Sequence, residues 1–396
     1  MNNAYLNLFK IPGTLKFCSA AFLGRLPAGM IGLSVILAIS LLRGSYTLAG
    51  IVAAFVMISM ALAAPFSGRL VDRYGQRRIL IPLAIINFIG TLALIYCIHS
   101  QASLGLLCLA SIFTGASRLS TGTMARTRWT YIVQSLNAQI RSQTLQTAYA
   151  FESIVDELVF ITAPIIATFL CTMIHPLAGL FFCLLSYVIG ALSLAAQKLT
   201  EPPITLVQKQ KGSIFTIPEL RIIFLATLFI GISAGAIEVI VVARANFYHM
   251  RYFIGILMAI LSLSSMLSGF WYGAQEFHKS IQERWKICLG CLFLALIPFC
   301  LATNFTLLLI SMFCAGLAIA PTTISGQVFA EKKLPTGLLN EGLSVIVTAM
   351  IFGMAIGSFG AGFLIDKFGP YLSGFLPVLA VFLAYIASVI FIKEKR

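Results

Sequence analysis

The chain has 396 residues, of which 59% are apolar and only 10% charged, with a mean hydropathy of +0.97. A water-soluble domain of this length carries far more charge, so this composition belongs to a chain solvated mainly by lipid. The formal net charge of +14 does not point to nucleic acid, because the basic residues lie in short segments between apolar runs rather than on one water-facing surface; they read as topology signals and contacts to anionic lipid.

Apolar runs long enough to cross ~30 Å of hydrocarbon at ~1.5 Å per residue predict about twelve helices, at 17–42, 46–66, 79–99, 103–125, 147–173, 176–196, 218–247, 252–273, 287–303, 305–329, 338–364 and 372–392. The expected fold class is therefore an all-α polytopic membrane protein. The first run is too long for a signal peptide and lacks a small-residue cleavage site, so it is expected to stay in the membrane. With the N-terminus in the cytoplasm, twenty-one lysines and arginines fall in inside segments and only Arg43, Arg251 and Lys367 in outside ones. That asymmetry predicts both termini on the cytoplasmic side of a plasma (inner) membrane.

In the first span Arg25 lies well below the surface, placed either to snorkel or to meet an acid. Between the second and third spans, residues 68–78 form a short basic loop in which Gly68, Asp72 and Gly75 are spaced G-x-x-x-D-x-x-G, with Arg73, Arg77 and Arg78 alongside. The fourth span carries Arg118, either lining a cavity or joining helices. The fifth carries Glu152, Asp156 and Glu157, with Glu152 and Asp156 one turn apart on one face. Carboxylates this close in low dielectric need a raised pKa or a cation, and the predicted partner is Arg25, through Asp156 or Glu157. Such a cluster is either a proton-responsive switch or a permanent fastening between two helices.

Residues 197–216, with Pro202, Pro203 and three lysines, interrupt the apolar pattern and divide the chain into bundles 1–196 and 217–396. The seventh span holds Glu238, a lone acid suited to a cationic group or a proton, or kept neutral and bonded to a neighbour. Arg244 lies nearer the outer end of that span, either on the substrate pathway with Arg118, Glu238 and Glu341 or at the outer interface. Glu341 begins the eleventh span, where a carboxylate favours the helix start. The halves look related: Phe113 and Gly115 of the fourth span are echoed by Phe313 and Gly316 of the tenth. Gly362 to Gly369 repeat the G-x-x-x-D-x-x-G spacing at the outer side and read as a tight turn. The nine cysteines sit in apolar runs, Cys288 and Cys291 included, and His99, His175, His249 and His278 fall in or near loops. Neither set has metal-site spacing, so no cofactor is expected.

The 68–78 pattern resembles the loop between the second and third helices of the major facilitator superfamily, with Gln76 where a basic residue is often found. The resemblance extends over the chain in length, span number and linker position. It implies alternating access between two six-helix bundles, Gly68 allowing the second helix to approach the eleventh, and Asp72 with the arginines holding the cytoplasmic side closed in one state. Ala163-Pro164 looks like a worn form of the superfamily's antiporter motif. The reading is a monomeric, proton-coupled exporter of small amphipathic or cationic compounds, partnered by substrate, protons and lipid. An uptake permease for amino acids, peptides or another metabolite, a non-transporting sensor and a polytopic membrane enzyme are the other readings left open.

Overall fold

The computed structural model describes residues 7–134, 138–203, 218–334 and 339–391, and among these the secondary structure is helical without a strand. Inside hydrocarbon every backbone polar group must be satisfied within its own segment, and a helix does that. The N-terminal half comprises α1 (Thr14–Arg43), α2 (Tyr46–Tyr74), α3 (Gln76–His99), a fourth span broken into α4 (Leu104–Ala116) and α5 (Thr121–Val133), α6 (Ala138–Phe169) with a π-helical continuation at Leu170–Ile174, and α7 (Ala178–Ala196). The C-terminal half comprises α8 (Pro218–Phe247), α9 (Ile254–Gly273), α10 (Ile281–Leu301), α11 (Phe305–Lys333), α12 (Leu339–Leu372) and α13 (Phe375–Phe391). Eleven described spans are long and apolar enough to cross a membrane, and α13 is a shorter apolar helix. Of the linker expected at 197–216, residues 204–216 lie outside the described residues.

Two expectations are corrected. The basic segment 68–78 is not a loop, because α2 continues through Tyr74 and α3 starts at Gln76, leaving Gly75 alone between them with φ 89°. Arginine and leucine are good helix formers, and only glycine takes that backbone angle without strain. The fourth span, read as continuous, is interrupted at Ser117–Ser120. The turn expected within 362–369 falls at Gly369, φ 84°. Several helices outrun the predicted spans, since charged side chains at the helix ends reach water while the backbone stays hydrogen-bonded.

Within the N-terminal bundle α1 packs on α6 and α7, α2 on α4, and α3 on α4 and α7; in the C-terminal bundle α8 packs on α12 and α13, α9 on α11, and α10 on α11 and α13. The repeat is visible in detail. A Cβ on Gly115 would strike the Val56 carbonyl and the Ser59 hydroxyl of α2, and one on Gly316 would strike the Leu261 carbonyl and the Ser264 hydroxyl of α9. Arg43 of α1 donates to the carbonyls of Cys97 and Ile98 at the end of α3 and of Ala102 beyond it. Arg244 of α8 does the same for Phe299 and Cys300 at the end of α10, and also for Pro370 and Tyr371. Each arginine supplies donors to helix-terminal carbonyls that no intrahelical N–H reaches.

The two bundles meet through α2 against α12 and α6 against α9. Where α2 begins, a single apolar core runs through both halves, taking in Val35 and Ile39 of α1, Val52 of α2, Val241 of α8 and Ile365 of α12. Where α2 ends there are two cores: one around Phe17, Trp129 and Tyr187, the other around Ile223, Trp285 and Phe329. Backbone contact between α2 and α12 also lies at the joined end, since Cβ atoms on Gly50 and Gly362 would strike the carbonyls of Ser358 and Tyr46. Small residues permit such approach between membrane helices. At the other end of α2, Gly68 faces open space.

Arg244→Met should lower stability by on the order of 2–3 kcal/mol, because the Phe299 and Cys300 carbonyls lose the arginine while those of Pro370 and Tyr371 keep Ser373 Oγ and the Gly374 N–H; Arg43→Met should cost less because Arg43 is only half-buried. Thermal unfolding of the purified variants checks both the loss and its order.

Candidate functional site

Four groups of polar side chains hold the candidate positions. The first joins α1, α5 and α6. Arg25 forms an ion pair with Glu152 and lies 3.2 Å from Asp156 Oδ1, and Arg126 bonds Asp156 Oδ2 at 2.7 Å. Trp129 Nε1 donates to Glu152 Oε1 at 2.7 Å. Glu152 and Arg25 are buried, at 1% and 6% exposure, whereas Asp156 and Arg126 are at 34% and 39%. Two cations thus face two carboxylates, one pair sealed and the other wet, which is the arrangement that makes buried charge tolerable. Glu157 is placed differently from the expectation: five residues beyond Glu152, it is turned roughly 140° around the helix, and it makes no hydrogen bond or ion pair among the described residues. Sequence reasoning missed Arg126, counted there only as a topology signal, and Trp129, three residues on along the same face.

The second group is Glu238, on α8 within ~8 Å of the middle of its span. Its carboxylate lies against Gly32 of α1, close enough that a Cβ there would sit 3.0 Å from Oε1. Glu238 is half-buried and makes no hydrogen bond or ion pair among the described residues. A lone carboxylate at the seam between the halves, at membrane depth, is available to a proton or a cation.

The third lies at the joined end. Asp366 of α12 accepts from Ser45 Oγ at 2.9 Å and from the backbone N–H groups of Tyr46 and Thr47 at 3.0 and 2.8 Å. An acid from one half thus caps the first turn of a helix in the other, where the N–H groups lack intrahelical partners and the macrodipole is positive. Asn246 of α8 adds a bond to the Tyr46 hydroxyl at 2.9 Å. The sequence repeat at 362–369 had marked a turn; the capping role of its aspartate was not foreseen.

The fourth is the 68–78 segment. Asp72, Arg73 and Arg78 are exposed, and no ion pair among the described residues involves them. The Arg77 backbone N–H donates to Glu201 Oε1 at 2.8 Å. Gln76, the departure from the basic pattern, is buried; it accepts from Arg128 Nε and donates to Thr127 Oγ1, both at 2.8 Å. Arg128 also donates to the Leu194 and Gln197 carbonyls and to Thr200 Oγ1, tying α5 to the end of α7. A cation at position 76 would face that guanidinium, which accounts for the glutamine.

Three further candidates remain. Arg244 was placed on a substrate pathway, but it is fully buried among four carbonyls and stacks on Phe299 at 4.9 Å; its donors are committed to fastening helix ends. The Glu341 side chain lies outside the described residues, its backbone standing third in α12. Arg118, at the break between α4 and α5, is 8% exposed and stands 5.6 Å over the Tyr187 ring.

The sequence model of the Major Facilitator Superfamily matches residues 17–339. The chain belongs to that superfamily. Solved structures agree in fold: a mutant of the nucleoside transporter NupG at TM-score 0.75 and 16% identity, covering 96% of this chain and 98% of that one; a bacterial homologue of the iron transporter ferroportin at 0.73 and 16%, with coverage of 96% and 98%; and an auto-inhibited POT family peptide transporter at 0.74 and 12%, with coverage of 97% and 98%. No curated protein matches. This Major Facilitator Superfamily protein is thus a multi-pass membrane transporter of small molecules rather than an enzyme.

Arg25→Met leaves Glu152 buried without its cation and should cost about 3–5 kcal/mol, most of it recovered when Glu152→Gln is added. Thermal unfolding of the single and double variants provides the measurement; a double variant no better than the single would assign the loss to packing of the arginine stem.

Proposed function

We propose that the protein is a proton-linked secondary transporter that exports small amphipathic compounds by alternating access, with bundles 1–196 and 217–396 rocking about the Glu238 seam. The observation that carries this reading is the asymmetry of the core, continuous across the halves at one end and divided at the other. Two rigid bodies hinged in this way around an unpaired carboxylate match what an alternating-access carrier requires. Because the divided end carries the basic residues, it is assigned to the cytoplasm together with both termini. The chain then stands open inward in the plasma membrane and works as a monomer.

Coupling follows from the chemistry of the first two groups. Glu238 lies at the seam between α1 and α8, and protonation removes its charge at the moment the seam closes. Asp156 is the wet member of the Arg25 cluster. Protonating it frees Arg126 and leaves Arg25 held by Glu152 and the Gly122 carbonyl, loosening α5 from α6 while α1 stays fastened. Exposed Asp72 and its neighbouring arginines are the gating groups that engage when the inner end closes.

In energised inverted vesicles, a panel of amphipathic drugs and metabolites should evoke proton release from the lumen. Glu238→Gln and Asp156→Asn should each reduce it at least tenfold at equal expression. Substrate movement without a pH response would overturn proton linkage, and gradient-driven movement in the opposite sense would establish uptake instead.

Asp366→Ala removes three hydrogen bonds that hold the outer end shut and should favour the outward-open state by about 2 kcal/mol, roughly a 30-fold population shift. Distances between spin labels at positions 99 and 251, in a background without native cysteines, should lengthen.

A further inference from the structure

Four arginines are buried among the described residues: Arg25, Arg118, Arg128 and Arg244. Arg25 faces carboxylates, Arg128 has four acceptors and Arg244 has four carbonyls. Arg118 differs. Its guanidinium makes no hydrogen bond or ion pair among the described residues, and Nη2 is sealed from solvent with no acceptor. Its described electrostatic neighbours are the Cys183 thiol and the face of Tyr187, and neither replaces an anion. A permanent cation left this way at membrane depth is costly and has a use where an anion arrives.

The surroundings show where that anion enters. Behind Arg118, beside Asn87, Thr114 and Tyr187, is a space of about 10 Å³, enough for no more than a water. In front, Arg118 lines a cleft of about 370 Å³ that passes Thr123 and Thr127 and reaches Asp72 at the divided end of the bundles. The same cleft touches Ser120 and Thr123, the N-cap and first turn of α5. Ser120 Oγ already takes the Thr123 N–H, but the positive dipole of the helix start still favours negative charge. The break in the fourth span thus brings a guanidinium and a helix N-terminus to one cleft. Asp72 at the mouth works against an anion, and Arg73, Arg77 and Arg78 lie beside it in the sequence. The cleft lies within the N-terminal bundle, apart from the seam where Glu238 meets α1.

We infer that Arg118 is a recognition residue for an anionic group, a carboxylate or phosphate, on a soluble molecule entering from the divided end. This rests on the transport reading for one consequence: the anion is cargo, and the amphipathic substrates are narrowed to amphipathic anions.

The experiment uses the full chain in a neutral detergent, with thermal unfolding followed in sodium chloride and in equal concentrations of sodium acetate, benzoate, octanoate and phosphate. At least one probe should raise the midpoint of the wild type, with apparent affinity reduced at least tenfold in Arg118→Gln and partly kept in Arg118→Lys. Without a probe, Arg118→Gln should unfold at the same or a higher temperature, since an uncompensated charge has been removed. A lowered midpoint without any probe response would make Arg118 a packing residue and overturn the inference, as would probe responses equal in wild type and Arg118→Gln. Reconstitution in neutral phosphatidylcholine with and without phosphatidylglycerol separates the sources: Arg118-dependent stabilisation by phosphatidylglycerol alone assigns the site to a lipid headgroup and overturns the soluble cargo. The two readings fail separately. Wild-type vesicles that move none of the probes while Arg118-dependent binding persists would strike transport, whereas transport with KM unchanged in Arg118→Gln would strike the anion site.

Discussion

A charge inside hydrocarbon has no water to turn to, and the interior of this protein is organised by how each one is met. Arg25 is met by Glu152 and Asp156, Arg128 by a glutamine, a threonine and two carbonyls, and Arg244 by carbonyls alone. These solutions differ in what they permit. Carbonyls at a helix end cannot titrate, so Arg43 and Arg244 fix the geometry of their bundles at any pH. The acids of the α1–α5–α6 cluster instead hold their helices through paired charge. Glu238 and Arg118 stand outside both solutions.

Fixed and releasable fastenings are distributed with a pattern. The arginine clamps lie within each bundle and occupy equivalent places in the two halves, which keeps each half rigid. Fastenings between the halves are of another kind: aliphatic packing, backbone contact between α2 and α12, and the Asp366 cap. None of them requires a buried ion pair to break. Motion between the bundles therefore avoids the largest electrostatic cost, whereas motion within a bundle would incur it.

The helices were legible because hydropathy and charge placement are properties of the chain itself. Arg25 and the Glu152 face were also legible, since depth and the 3.6-residue repeat bring them together. The partners of Arg43 and Arg244 were not, because their acceptors are main-chain carbonyls, which have no signature in sequence. Arg126 was hidden among topology charges, and the break at Ser117–Ser120 within a polar but helix-compatible stretch. Asp366 was overlooked because its partners, Ser45 to Thr47, lie more than 300 residues away. The loop read at 68–78 became helix because nothing in arginine or aspartate forbids it, and only Gly75 enforces a turn.

The start of α2 is capped twice. Ser45 Oγ accepts from the Leu48 N–H at 3.1 Å while donating to Asp366 at 2.9 Å. If the aspartate withdrew, Ser45 would still close the first turn, so opening of the outer end in the proposed cycle would need no refolding of the helix. The mooring can be cast off and retaken by a pier that keeps its shape.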